Sequence, residues 1–174
     1  MLARCSAHRK TLLGLAIVLS LAFASQAAGT STKTHSLLQS RNLWTTLDIC
    51  NPPDRPHTVG IRGSMPSDGH PKDLMYMRFQ LQYLDASTKK WVDLGSSADS
   101  GFVSIGTAAS TRQAGRTFEL VPSSSTYTLR GYVEFQWRRA GKTVHSVART
   151  TVAGHTSVAG ADPANFSAAQ CVIG

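Results

Sequence analysis

The sequence predicts an all-β protein, an antiparallel β-sandwich of roughly seven or eight strands following a cleaved signal peptide. Two long alternating runs and a dense spacing of turn residues predict it. In Tyr127–Trp137 (YTLRGYVEFQW) every second residue is apolar, aromatic or glycine, and Thr128, Arg130, Tyr132, Glu134 and Gln136 lie between. Met75–Tyr83 (MYMRFQLQY) repeats the pattern, with Met75, Met77, Phe79, Leu81 and Tyr83 on one side. Successive strand side chains point to opposite faces, so each run has a buried side and a wet side. No helical period stands out beyond the N-terminal segment. A closed barrel is the alternative architecture.

Taken in order, Leu43–Cys50 (LWTTLDIC) reads as the first strand and ends at Asn51-Pro52-Pro53-Asp54, where two prolines remove two ladder donors. Thr58–Met65 is the second strand, and Pro66–Pro71 a turn centred on Gly69. After Met75–Tyr83 a loop of hairpin size, Asp85–Lys89, leads to a short strand at Lys90–Leu94. Phe102–Ile105 and Thr117–Val121 are shorter runs, separated by the small-residue stretch Gly106–Gly115. The run Tyr127–Trp137 turns at Arg139–Lys142 (RAGK) into Thr143–Val152. Residues 153–174 form a tail that is loop-like until Phe166–Ile173, an expected edge strand carrying Cys171.

The N-terminus states the compartment. Arg4, Arg9 and Lys10 precede the uncharged Thr11–Phe23, and small residues follow at Ala24, Ser25, Ala27 and Ala28. A basic region, a short apolar run and a small-x-small site make a secretory signal over residues 1–28, cleaved after Ala27 or Ala28. Thirteen apolar residues fall short of the roughly 20 that span a bilayer, which argues against an uncleaved anchor. Residues 29–42 read as a flexible polar leader, and 43–174 as a single domain. Without residues 1–28 the charge drops from +8 to +5 (15 basic minus 10 acidic). That is moderately basic, far from a nucleic-acid polycation, and an exported chain meets cell-surface anions instead.

Cys5 leaves with the signal, so Cys50 and Cys171 remain. In an oxidising compartment they have one intramolecular pairing, which ties back the tail across 121 residues (171 − 50). Two free thiols or an intermolecular bond are the alternatives.

Leu120-Val121-Pro122 followed by Tyr127-Thr128-Leu129 resembles fibronectin type III and immunoglobulin-like domains of secreted bacterial proteins. The resemblance implies that Tyr127 is the tyrosine of a tyrosine corner, its hydroxyl bonded back to the preceding loop. The motif departs from the family by a loop one residue longer and by the lack of a cysteine two residues after Tyr127. Domains of this type host adhesion, structural and recognition roles, so the resemblance narrows function little.

Chemistry is sparse. No Gly-x-Ser-x-Gly elbow occurs. Glu119 and Glu134, the only glutamates, both fall in expected strands rather than flanking a cleft. Asp68-Gly69-His70 with Asp73 is the nearest thing to a metal cluster. It lacks the alternating carboxylates of a calcium loop, so a turn with solvated side chains is expected and no metal or cofactor is assigned.

If the two alternating runs share a sheet, Tyr76, Arg78, Arg130, Tyr132 and Arg138 fall on one surface, with His145 and Arg149 of the next strand expected beside them. Tyrosine and arginine are typical of recognition surfaces. The expected function is therefore a secreted, non-enzymatic module with a binding or structural role at the cell surface. An anionic wall polymer or a protein is the expected partner, with no nucleic acid and no stable membrane span. An extracellular hydrolase with an unrecognised site is one alternative. A small inhibitor or toxin presenting Asn51–His57 is the other.

Overall fold

A computed structural model describes residues 36–174; the expected signal peptide and the start of the leader lie outside the described residues. The described residues form nine strands in order: β1 (Trp44–Cys50), β2 (Thr58–Met65), β3 (Leu74–Leu84), β4 (Trp91–Asp93), β5 (Asp99–Thr107), β6 (Arg112–Glu119), β7 (Tyr127–Arg139), β8 (Lys142–Thr150) and β9 (Cys171–Ile173). They form two separate antiparallel sheets, β1-β2-β6 and a larger one ordered β4-β3-β7-β8. In the larger sheet β5 also pairs with β3, and β9 with β7.

The two alternating runs are the centre of the larger sheet. β3 and β7 pair from Leu74↔Arg138 to Tyr83↔Leu129. Along its other edge β3 holds β5 and then β4, while β7 holds β9 and then β8. Alternation therefore does what it predicts. Met75, Met77, Phe79 and Leu81 of β3 and Leu129, Val133, Phe135 and Trp137 of β7 are buried. Leu47 of β1, Val59, Ile61 and Met65 of β2 and Phe118 of β6 complete the same core from the smaller sheet. Each large side chain buried there contributes about 1.5–3 kcal/mol. The Trp137 indole, fully enclosed, donates its N–H to the Pro66 carbonyl at 3.0 Å, so its polar atom is satisfied.

Close approach of the sheets fixes one glycine. A Cβ on Gly131 would stand 2.6 Å from Thr151 Cγ2 and 3.1 Å from the Ile61 side chain. The β7–β8 turn takes φ of 47° at Ala140 and 77° at Gly141, the two left-handed positions of a tight hairpin.

Several expectations need correction. The stretch Gly106–Gly115 is mostly strand, since β5 runs to Thr107 and β6 starts at Arg112. Gly115 is fixed there by the neighbouring strand β2; a Cβ on it would come within 2.9 Å of the Ile61 carbonyl oxygen. The edge strand expected over Phe166–Ile173 is confined to Cys171–Ile173. Residues 36–42 are not loose, because Leu37 is buried in the core and Leu38 packs against it. The tail is tied down as well. It bridges to β1 at Leu47↔Ala168 and Ile49↔Asp162, and it delivers Cys171 to Cys50 at a Cα–Cα distance of 5.6 Å. That disulfide connects β1 of the smaller sheet to β9 of the larger.

Candidate functional site

The outer face of the larger sheet gathers most of the side chains that the sequence singled out. Register puts Arg78 opposite Glu134, Tyr76 opposite Gln136, Gln80 opposite Tyr132 and Gln82 opposite Arg130. On the far side of β3, Phe102 stands opposite Arg78, Ser104 opposite Tyr76 and Trp91 opposite Leu84. Opposed residues of an antiparallel pair share a face, so Trp91 and Phe102 join the surface.

Three arginines organise this face in different ways. Arg138 lies over the Tyr76 ring, 4.0 Å from its centre, and 5.0 Å from that of Phe102. Its Nε and Nη2 both donate to Gln136 Oε1, at 2.9 and 2.7 Å. Arg130 lies over the Trp91 ring at 4.3 Å, with Nε donating to Gln82 Oε1 at 2.9 Å. Each stack adds about 0.5–1 kcal/mol where it is solvent-accessible and limits the freedom of a long side chain. Between them Arg78 is committed to carboxylates. Its Nε donates to Asp99 Oδ1 at 2.9 Å, and Nη1 donates to Glu134 Oε1 at 3.0 Å. The Arg78 hydrogen bonds hold the Asp99 carboxyl below its usual range, and Asp99 in turn raises the arginine. Burial pushes Arg130 down, although a guanidinium stays charged at any physiological pH.

The face is therefore two arginine–aromatic platforms flanking an ion-paired centre in which one guanidinium meets two carboxylates. Arg130 and Arg138 are eight residues apart on β7, about 26 Å at roughly 3.3 Å per residue. Tyr132 lies between them, half-buried.

Arg149 and His145 do not belong to this face. Arg149 pairs with Val133 and His145 with Trp137, residues whose side chains point into the core. A register shift between Trp137 and Arg138 offsets the strands, so counting from the turn misplaces β8 by one residue. Arg149 reaches instead to the N-terminal segment, where Nη2 donates to the Leu38 carbonyl at 2.7 Å. The His145 ring meets Trp137 edge-on, centres 6.2 Å apart.

Tyr127 also differs from its expected part. Among the described residues its hydroxyl makes no hydrogen bond to the preceding loop; its ring packs edge-on against Tyr83, centres 6.1 Å apart. With Leu120, Val121, Pro122, Leu129 and Ile173 it lines a largely apolar cavity of about 340 Å³ at one end of the core. The Asn51–His57 loop beside Cys50 is held by the Arg55–Asp162 ion pair and by His57 N–H donating to Asn51 Oδ1 at 2.7 Å.

Trp91 and Phe102 were missed from sequence for identifiable reasons. A three-residue strand carries too little alternation to assign a face, and β5 is interrupted by two register shifts against β3. No family model and no curated protein matches the chain.

Proposed function

We propose that the protein is a secreted, non-enzymatic immunoglobulin-like β-sandwich that binds a protein partner at the cell surface through the outer face of its larger sheet. The order β1-β2-β6 against β4-β3-β7-β8 supports the fold reading, because it matches the A-B-E and C′-C-F-G strand orders of such sandwiches. Export is supported by the buried disulfide, a bond that persists outside the reducing cytosol, together with the signal-like N-terminus. Among the described residues no helix is long and apolar enough to cross a membrane.

One observation carries the binding reading. Among the described residues Arg130 and Arg138 are positioned on aromatic rings without a carboxylate partner, while Arg78 between them is fully paired. Preordered arginine and aromatic side chains lose little entropy when a partner docks. The centre, one guanidinium against two carboxylates, favours a protein over an anionic polymer. A polyanion would find two isolated guanidiniums about 26 Å apart with Asp99 and Glu134 between them.

The test is capture by the immobilised protein, comparing solubilised cell-surface proteins with isolated wall polysaccharide. The reading expects a discrete protein retained by the wild type and lost in the Arg130→Ala/Arg138→Ala double variant. Retention of the polysaccharide alone, or equal retention by the double variant, would overturn it.

A further inference from the structure

The turn between β2 and β3 draws together three donor atoms away from the sheet face. Asp68, His70 and Asp73 each bring one, and all lie within 4.8 Å of one another. The Asp68 side chain is completely shielded from solvent, although the residue as a whole is half-buried. Its Oδ1 accepts the His70 backbone N–H at 2.9 Å, but among the described residues no donor reaches the buried Oδ2. A carboxylate oxygen left so costs on the order of 1–3 kcal/mol or more, so natural proteins rarely leave one orphaned. That oxygen is 3.9 Å from His70 Nδ1.

Asp73, the second carboxylate, has a side chain only 4% exposed. Arg139 donates to both its oxygens, Nε to Oδ1 and Nη2 to Oδ2, each at 2.8 Å. Each carboxylate oxygen has a second lone pair, so Asp73 keeps coordinating capacity beyond this pairing. One guanidinium leaves the two carboxylates of this shielded turn with a net negative charge, which attracts a cation.

We propose that Asp68, His70 and Asp73 form a binding site for a first-row transition dication, with Zn²⁺ the best match to one imidazole and two carboxylates. An imidazole ligand favours Zn²⁺ and its neighbours over Mg²⁺ or Ca²⁺, which take oxygen ligands. Ligand bonds of about 2.0–2.2 Å put neighbouring donors roughly 3.4 Å apart, so the three groups must close by about 1 Å. The His70 side chain, 53% exposed, has room to make that movement. Arg139 remains the outer partner that orients Asp73. Three protein ligands leave a fourth position for water or a ligand atom, beside a depression of about 490 Å³ lined by His70, Lys72, Asp73 and Arg139. The site is independent of the sheet face, so it stands or falls separately from the binding reading.

The probe is Zn²⁺ itself, titrated into the untagged chain in competition with a chromogenic chelator at pH 7.5. One equivalent per chain is expected, with affinity reduced at least tenfold in Asp68→Asn and in His70→Ala. Added Zn²⁺ should also raise the melting temperature of the wild type and not of His70→Ala. Asp68 is enclosed and its variant can misfold; His70 is exposed, so its variant decides the matter. His155→Ala, remote from the turn, should bind as the wild type does. Substoichiometric binding by the wild type, or undiminished affinity in His70→Ala, would overturn the proposal.

Discussion

Arg78 and Asp99 meet diagonally across the β3–β5 pair, joined by Nε to Oδ1 at 2.9 Å and by a second bond from Nη2 to Oδ2. Glu134 closes on the same guanidinium from β7. The arginine is thus a structural clamp over three strands, and its removal would leave two carboxylates without their common partner. Arg78→Ala is expected to destabilise the fold by about 1 kcal/mol, the value for a partly exposed network rather than a buried pair. Arg138→Ala should cost less, since its aromatic neighbours keep their own packing. Urea denaturation of the two variants measures the difference, and a larger loss at Arg138 would reverse the assignment of roles.

The same pair has a pH signature. Asp99 is held below its usual pKa mainly by the Arg78 hydrogen bonds. A carboxylate depressed in the folded state contributes stability that is present above its unfolded pKa, near 3.9, and lost as pH falls through the folded value. Stability should therefore decline from about pH 4 downward, and Asp99→Asn should flatten that part of the profile. Denaturation midpoints between pH 7 and pH 3 report it.

Gly131 is a packing requirement. Gly131→Ala places a methyl group within 2.6 Å of Thr151 and should destabilise by about 1–3 kcal/mol, read as a lower melting temperature.

The β7–β8 turn offers the opposite outcome. Ala140 holds a φ of 47°, which costs energy in a residue with a Cβ. Ala140→Gly should raise stability by about 0.5–1 kcal/mol in the same assay, because glycine adopts that conformation without strain.

Cys50→Ser and Cys171→Ser should each lower stability by about 2–5 kcal/mol, with equal effects if the pair acts as one bond. Denaturation with and without reductant checks this, and a loss confined to one variant would point to other chemistry at that thiol.

How far the sequence carried the fold depends on how many residues voted. Met75–Tyr83 and Tyr127–Trp137 each supply five or six alternating positions, and both inner faces are buried except at the end positions Tyr83 and Tyr127. Thr58–Met65 has the bounds expected of it. Shorter or bulged strands lose this averaging. Trp91 and Phe102 therefore went unnoticed as platforms for Arg130 and Arg138, and one shift in register turned Arg149 inward. The Asp68–His70–Asp73 cluster was visible as spacing, but its orphaned oxygen depends on burial, which spacing does not encode.

The Cys50–Cys171 bond also fixes how the molecule answers a pull on its two ends. Tension entering near Trp44 and leaving at Gly174 passes through the sulfur atoms, and the 121-residue span between them is bypassed. Only the short runs outside the two cysteines are free to peel away. After reduction the same pull can reach that span, and unfolding it would yield about 400 Å of chain at roughly 3.4 Å per residue. Oxidised, the domain shields those strands from tension; reduced, it leaves their sheets to bear the load.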